Sequence, residues 1–381
     1  MTDTRFHLKD SLNLQLITHS SQSGEPLRIL AVSELWPGSN GYGYVRAFRR
    51  MGHSVWVVPS ERVVPSAWTS TYLRLIRRIL QPALVREYNE LLIEEARRLQ
   101  PHLFFVFKGR WVTPRALKAI REMGVVTINF YPDVSFMAHG KYLPLALPRY
   151  DWIFQTKTFG VADLKRLLKV ENTSFLPHSF DPEVHRPMTL DSHDQSVYEC
   201  DVSFVGTWSP KKQRLLEHVA QSLPQVKLRI WGEQWEKADT SLAPWWQKRG
   251  SHGAEYAKSL VASKINLAIL SEARKSASSG DLTTSRTFQI PATGAFMLHE
   301  RTTELAQYFQ EGKECACFSE QDELVKKISF YLEHDAERRE IAQVGYTRAW
   351  DSGYFVDHRA QAVLDKFAQL YAARSDASAK V

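Results

Sequence analysis

Apolar runs of strand length alternate with amphipathic stretches of helix length along the first half of the chain. Residues 27–34 form one such run, and a glycine-containing loop, a short helical stretch and a second apolar run at 54–59 follow it. A strand, loop, helix and strand in this order predict the start of a parallel α/β sheet. Four further apolar runs extend the predicted sheet: 102–108, 125–133, 150–156 and 172–179.

A second series of the same kind follows a stretch rich in proline and polar residues at 178–196. We therefore predict an α/β protein with two Rossmann-like doubly wound domains that face each other across a cleft. A long terminal helix is expected to pack back towards the first domain. The predicted boundaries are a polar lead-in at 1–26, a first domain at 27–180, a linker at 181–197, a second domain at 198–355, and a helix and tail at 356–381.

The net charge indicates which kinds of partner the protein binds. A net charge of +7 favours an anionic partner: a phosphorylated substrate, an anionic membrane surface or nucleic acid. No zinc-finger spacing or RNA-recognition signature is present, so nucleic acid is not expected. No stretch of about 20 apolar residues is available to span a membrane.

The three cysteines provide no disulfide framework and favour a reducing, cytoplasmic setting. Cys315 and Cys317 alternate along a predicted strand, so we expect them to face opposite ways and to make a poor metal pair. No metal site is predicted.

Residues 66–100 are predicted to be helical with a break near Pro82. The segment 71–80 interleaves leucine and isoleucine with three arginines, which is typical of a helix on an anionic membrane. For a cytoplasmic protein such a contact would be at the inner face of the cell membrane. A helix packed on the sheet with a solvated basic face is the preferred interpretation.

The first half carries two sets of candidate residues. Its glycines at 38, 41 and 43 do not match the dinucleotide fingerprint, and no acidic residue ends the second strand, so an NAD site is rejected. These glycines either let a ligand approach the backbone or form a turn, and Asn40 and Gly41 are the candidate ligand contacts of this loop. Asp133 ends a predicted strand, where parallel sheets bind ligands, although an aspartate after Pro132 is more often a turn residue.

The stretch at 281–300 combines a hydroxyl-rich entry, one arginine, a helix that stops at Gly294 and a short buried strand. A helix N-terminus offers unpaired backbone N–H groups and partial positive charge, which suit a phosphate or diphosphate when Ser285 and Arg286 lie beside it. An ordinary capped helix with its arginine in water is an equal alternative from this stretch alone.

Five stretches of the second half carry a family resemblance: DVSFVGTWSPKKQRLLE, RIWGEQW, AEYAKSLVASKINLAIL, SRTFQIPATGAFMLHE and the segment from LAQYFQEGKECACF to TRAW. In this order they resemble the CgeB-like (spore-maturation type) glycosyltransferases of the GT-B superfamily, and they cover most of 198–350. The first half is a looser match through YPDVSF, YDWIFQT and LPHSFDPEVHRP.

The resemblance implies transfer of a sugar from a nucleotide-sugar, bound by the second domain, to an unidentified acceptor bound by the first. Asn40 and Gly41 are the acceptor-side candidates. It implies no metal or other cofactor, so protein cations and helix dipoles must hold the leaving diphosphate. Lys211, Arg214 and Arg286 are the candidate cations, and the choice between Lys211 and Lys212 stays open. The other donor-side candidates are Gly206, Gly232, Ser285, Thr287 and Gln289.

The stereochemical outcome selects the catalytic candidates. An inverting enzyme needs a base, for which Asp133 is the first candidate and His139 the second. A retaining enzyme needs no strong base, and the superfamily kinship favours retention. Asp281 is a candidate for contacting the sugar, and His178 in the linker has either a functional or a structural role.

One position departs from the family pattern. Gln289 stands where the family usually has glutamate, which in related enzymes binds the donor ribose, and it accepts hydrogen bonds without charge. A non-catalytic nucleotide-sugar-binding module is therefore one alternative. A nucleotide-sugar epimerase of the same fold is another, independent of this position.

Overall fold

The computed structural model describes residues 25–63, 71–238 and 240–378. The predicted lead-in at 1–26 lies almost entirely outside these residues.

The first domain is built on a six-stranded parallel sheet in the order β2-β1-β3-β4-β5-β6. Its central strands are continuous apolar runs because helices cover both faces of the sheet. All five residues of β3, for example, are buried. The strands are β1 Arg28–Ser33, β2 Ser54–Pro59, β3 Leu103–Phe107, β4 Val126–Tyr131, β5 Trp152–Gln155 and β6 Thr173–Phe175; the helices are α1 Asn40–Arg50, α2 Thr71–Leu99, α3 Pro114–Glu122, α4 Tyr142–Ala146 and α5 Thr158–Leu168.

The second domain is built on a five-stranded parallel sheet in the order β11-β10-β9-β7-β8. Its strands are β7 Cys200–Val205, β8 Leu228–Trp231, β9 Ser263–Ala268, β10 Met297–Glu300 and β11 Ala316–Phe318. Its helices, with a short linker helix first, are α6 Ser192–Tyr198, α7 Pro210–Ser222, α8 Ala254–Val261, α9 Ser285–Ala292, α10 Gln321–Glu333 and α11 Asp335–Asp351.

The last helix, α12 (Val356–Ser378), returns to the first domain, as predicted. Its buried residues join the apolar core between α1 and the first sheet, and Arg50 on α1 forms a double hydrogen bond with Asp357 at 2.7 and 2.9 Å. This return ties the chain end to the domain that carries the predicted acceptor side.

The cleft is closed by contacts between the two domains. The loop that leaves β9 crosses to the first domain, where Arg166 Nη2 donates to Ser276 O at 3.1 Å and Ser278 N donates to Asp163 Oδ2 at 2.8 Å. At another point the rings of Trp36 and His252 meet edge to face with centroids 4.9 Å apart. The carboxyl ends of both sheets therefore face the same narrow space.

Three expectations need correction or restriction. Helix α2 continues through Pro82 without a break. Cys315 and Cys317 do not face opposite ways, because residues i and i+2 of a strand share a face, and their Sγ atoms lie 3.9 Å apart in the core. Within the predicted membrane-contact segment 71–80, the side chains of 71–78 lie outside the described residues.

No helix among the described residues is long and apolar enough to cross a membrane. In the same part of the chain, no group of three or more His, Cys, Asp or Glu side chains is arranged to hold a metal ion.

Candidate functional site

The start of α9 lies where two strands of the second sheet end. Arg286 is the second residue of this helix, and its guanidinium donates to Ile269 O at 2.7 Å and to Val205 O at 3.3 Å. Those carbonyls stand at the carboxyl ends of β9 and β7. The predicted helix start is present, and Arg286 contacts carbonyls at the strand ends; its binding of a diphosphate stays a prediction.

Helix α9 uses its hydroxyl groups mostly for its own cap. Thr284 N donates to Thr287 Oγ1 at 2.9 Å, and that hydroxyl also lies 2.8 Å from His299 Nε2. Thr287 is fully buried, whereas Ser285 is partly exposed at the first helical position. Of the predicted hydroxyl contacts to donor, Ser285 is thus the accessible one.

Lys212 completes a cation pair with Arg286. Its side chain is buried, and Nζ donates to Thr207 O at 3.1 Å and to Ser271 Oγ at 3.3 Å. Both cations lie over the ring of Phe204, at 5.9 Å for Lys212 and 5.4 Å for Arg286. Burial and the charge of Arg286 lower the pKa of Lys212 to about 7.

Only neutral oxygens hold this cation pair. Within the described residues, neither Lys212 nor Arg286 forms an ion pair with a carboxylate. Burial also lowers the pKa of Arg286, because the charged form loses solvation and the nearby Asp281 carboxylate offsets that loss only in part. The two side chains therefore form an electropositive cluster that a dianion would complement.

The other two predicted cations lie elsewhere. Lys211 is committed to an ion pair, with Nζ 2.6 Å from Glu300 Oε1. Arg214 is exposed, two residues from Lys212 on a helix and hence about 200° away from its buried face. The periodicity of buried positions at 212, 216 and 219 is the sequence signal that selects Lys212 over its neighbours.

The predicted glycines form a close backbone approach beneath the cation pair. Gly232 has φ of +144°, and a Cβ there would lie 2.0 Å from Gly206 O. A Cβ on Gly206 would lie 2.9 Å from Arg286 Nη1. Gly232 therefore requires glycine, whereas a side chain at Gly206 would displace the guanidinium.

Asp281 lies in a buried ionic contact between the domains. Its Oδ1 is 2.7 Å from Lys157 Nζ, and its Oδ2 accepts from Ser271 N at 3.2 Å. The lysine also donates to Thr283 O at 2.9 Å and lies 3.3 Å from His178 Nε2. Both oxygens of the predicted sugar-contacting acid are thus engaged, and the partner Lys157 was not a predicted site residue.

Gln289, a donor-side candidate, contacts the acceptor-side candidate Asn40 across the cleft. Its Nε2 donates to Asn40 Oδ1 at 2.9 Å. Gly41 is buried, and a Cβ there would lie 2.6 Å from Ser33 Oγ and 2.8 Å from the Phe107 ring. Tight packing accounts for Gly41, whereas Asn40 faces the second domain.

Asp133 and His139 form a charged cluster at the carboxyl edge of the first sheet. Asp133 Oδ2 lies 2.8 Å from Lys108 Nζ and 3.0 Å from His139 Nε2. Desolvation raises the pKa of Asp133, but Lys108 and His139 outweigh it and hold the pKa well below its usual range. Burial raises the pKa of the neighbouring Glu34.

The second domain matches a known protein family. Residues 211–365 match the family model described as "Glycosyl transferase-like", a segment that begins one residue before Lys212 and includes α9. This match covers less than half of the chain. A comparison with curated protein sequences finds no match.

The whole fold matches solved structures. The protein is similar to sucrose-phosphate synthase from Thermosynechococcus elongatus, with a TM-score of 0.63, 14% identity, and coverage of 91% of this chain and 100% of that one. It is similar to HepE from Anabaena in complex with UDP-glucose, with a TM-score of 0.60, 13% identity, and coverage of 90% and 100%. A glycosyltransferase from Rickettsia africae gives 0.60, 10% identity, and coverage of 91% and 99%.

At these identities the likeness establishes the fold. The protein has the GT-B fold of glycosyltransferases, with two Rossmann-like α/β domains that face each other, and the predicted fold class is confirmed.

Proposed function

We propose that the protein is a metal-independent glycosyltransferase, of the CgeB-like type, which moves a sugar from a nucleotide-sugar to an acceptor. The cation pair of Arg286 and Lys212 at the start of α9 is the observation that carries this proposal. Loss of a nucleoside diphosphate places negative charge on the leaving oxygens, and preorganised cations with free helix N–H groups stabilise that charge.

The two protein cations supply what a divalent metal supplies in other transferases. They are already desolvated and fixed, so little reorganisation is needed when the diphosphate charge develops. UDP-glucose is the first donor to test, because HepE was solved in complex with it. The free cysteines fit a reducing, cytoplasmic setting for such a reaction.

Retention of configuration fits the acceptor side better than inversion. A general base works best with a pKa near the operating pH, and the pKa of Asp133 lies far below it because Lys108 and His139 stabilise the carboxylate. We therefore expect Asp133→Asn to reduce turnover by less than about tenfold. A larger loss with unchanged donor affinity would favour inversion with Asp133 as the base.

The main test compares two cations in the site with two beside it. We expect Arg286→Ala and Lys212→Met to reduce sugar transfer by at least about 100-fold, the scale of losing one preorganised charge-stabilising group. Lys211→Met and Arg214→Ala are matched controls on the same helix as Lys212, and their transfer rates should stay within about threefold of the wild-type rate. Circular dichroism and thermal unfolding check that each variant is folded.

The result that would refute the donor site is wild-type turnover in folded Arg286→Ala and Lys212→Met. Equal losses in the two control variants would also refute it, because general charge rather than the cation pair would then be responsible.

A non-catalytic nucleotide-sugar-binding module is the second candidate. Gln289 favours it, because this neutral side chain donates a hydrogen bond to Asn40 and has no carboxylate to bind the donor. Such a module would bind a UDP-sugar in a thermal-shift experiment without consuming it. An epimerase would instead convert the donor to a rearranged nucleotide-sugar in the absence of any acceptor.

A further inference from the structure

A basic groove lies on the first domain, away from the cation pair. It has a volume of about 630 Å³ and is lined by α3, the segment after α4 and the end of α12. Its lining contains five cations and one carboxylate: Arg115, Lys118, Arg121, Arg149, Arg374 and Glu122, with Pro114 at the helix start. We call this surface the basic face.

The carboxylates near the basic face do not neutralise it. Arg115 pairs with Glu90 at 3.0 Å, and Lys118 pairs with Glu122 at 3.7 Å. Arg121 and Arg374 share Asp151, at 2.8 and 2.7 Å. In these pairs four of the five cations meet three carboxylates, so positive charge predominates among the described residues of the basic face. The first two pairs are solvent-exposed and worth little, so phosphate groups can replace their carboxylates.

Apolar side chains project beside these cations. A second groove, between α2 and α3, is lined by Pro82, Tyr142 and the same Arg115. Ile79 and Leu145 lie one helical turn from Pro82 and Tyr142 on their helices, and at 71% and 61% they are the most exposed large apolar side chains among the described residues. Leu145 lies between Tyr142 of the second groove and Arg149 of the basic face along the chain. Cations and apolar tips therefore share one side of the domain.

We propose that this side of the first domain docks on an anionic lipid bilayer. The cations attract the phosphate headgroups, and the exposed isoleucine and leucine enter the interface between headgroups and acyl chains. A soluble polyanion would account for the cations but would leave the exposed apolar tips without a partner. The inference goes beyond the proposed transfer reaction and does not depend on it.

Vesicle sedimentation tests the proposal with the full-length protein. We expect binding to vesicles of phosphatidylcholine with 30–40% phosphatidylglycerol, on the order of a strongly anionic leaflet, and not to phosphatidylcholine alone. Binding should weaken as salt rises from about 0.05 to 0.5 M, because the contacts are at the surface.

Two sets of variants separate charge from apolar contact. Lys118→Glu with Arg149→Glu should weaken partitioning at least about tenfold. Lys313→Glu with Lys326→Glu, at exposed positions of the second domain, makes the same change in net charge and should have little effect. Ile79→Ser with Leu145→Ser should also weaken binding, whereas Val344→Ser, at a 41% exposed position, should not.

Three results would overturn the proposal. The first is no sedimentation with anionic vesicles at low salt. The second is equal loss in the basic-face variant and its net-charge control. The third is polyphosphate binding as tight as vesicle binding together with no effect of the apolar pair, which would make the surface a general polyanion site. All substituted side chains are exposed, so unchanged thermal unfolding is expected for every variant.

Discussion

Replacement of Lys157 by methionine should destabilise the protein by leaving a buried carboxylate without its cation. The side chains of Lys157 and Asp281 are only 3% and 7% exposed, and their charged atoms lie 2.7 Å apart. Lys157 follows β5 of the first domain, whereas Asp281 lies in the loop between β9 and α9 of the second. The ion pair therefore reports on how the two domains are held together.

The size of the effect follows from the burial of both charges. Removing one partner of a buried ion pair typically costs about 3–5 kcal/mol, because the remaining charge stays desolvated. Desolvation raises the pKa of Asp281, and Lys157 more than compensates, so the net pKa is lowered. In Lys157→Met the desolvation remains, and the carboxylate keeps only the more distant charge of Arg286 and the contact to Ser271 N as support.

A double-mutant cycle gives the measurement. We expect Lys157→Met to lower the free energy of unfolding by about 3 kcal/mol or more at pH 7, and Asp281→Asn in the same background to restore part of it. Guanidinium unfolding followed by circular dichroism and by tryptophan fluorescence would show whether both domains unfold together.

The reasoning would be refuted by a loss below about 1 kcal/mol in Lys157→Met, the level of an exposed pair. It would equally be refuted if the double variant showed simple additivity of the two single changes.

Three further outcomes are expected. UDP affinity should fall as pH rises above 7, because Lys212, whose pKa burial lowers to about 7, loses its proton; calorimetry should show this slope vanish in Lys212→Met. Gly232→Ala should cost more stability in thermal unfolding than Gly52→Ala, since both have positive φ but only the former meets a backbone atom at 2.0 Å. Burial lowers the pKa values of His178 and His299 to about 3 and 4, so below pH 6.5 the unfolded chain binds more protons than the folded protein. The free energy of unfolding should therefore fall as pH drops from 6.5 to 4, by about 1.4 kcal/mol per pH unit for each histidine, as measured by denaturant unfolding.

The fold and the position of Arg286 were predictable because they depend on short-range patterns. Continuous apolar runs identified the strands of both sheets. The hydroxyl-rich stretch before Arg286 indicated a helix start at that position. The choice of Lys212 over Lys211 needed only helical periodicity, since the buried positions recur at 212, 216 and 219.

The role of Lys157 was not predictable in the same way. Its contact with the Thr283 carbonyl joins residues 126 positions apart on different domains, and no periodic pattern encodes such a pairing. Asp281 was nominated for its spacing from Gln289, but spacing along a loop does not specify which way a carboxylate points. The cysteine expectation was wrong for a local reason, since a strand places residues i and i+2 on the same face.

The two walls of the cleft differ in how their charges are compensated, and this difference assigns their roles. On the first wall Asp133 lies between Lys108 and His139, so charge is neutralised locally. On the second wall Arg286 and Lys212 contact only carbonyl and hydroxyl oxygens, and burial lowers both of their pKa values. Two adjacent cations, whose charge Asp281 offsets only in part, repel each other, and a bound dianion would relieve that repulsion. In the proposed transfer the negative charge on the leaving diphosphate grows, so this wall would stabilise the transition state more than the bound donor.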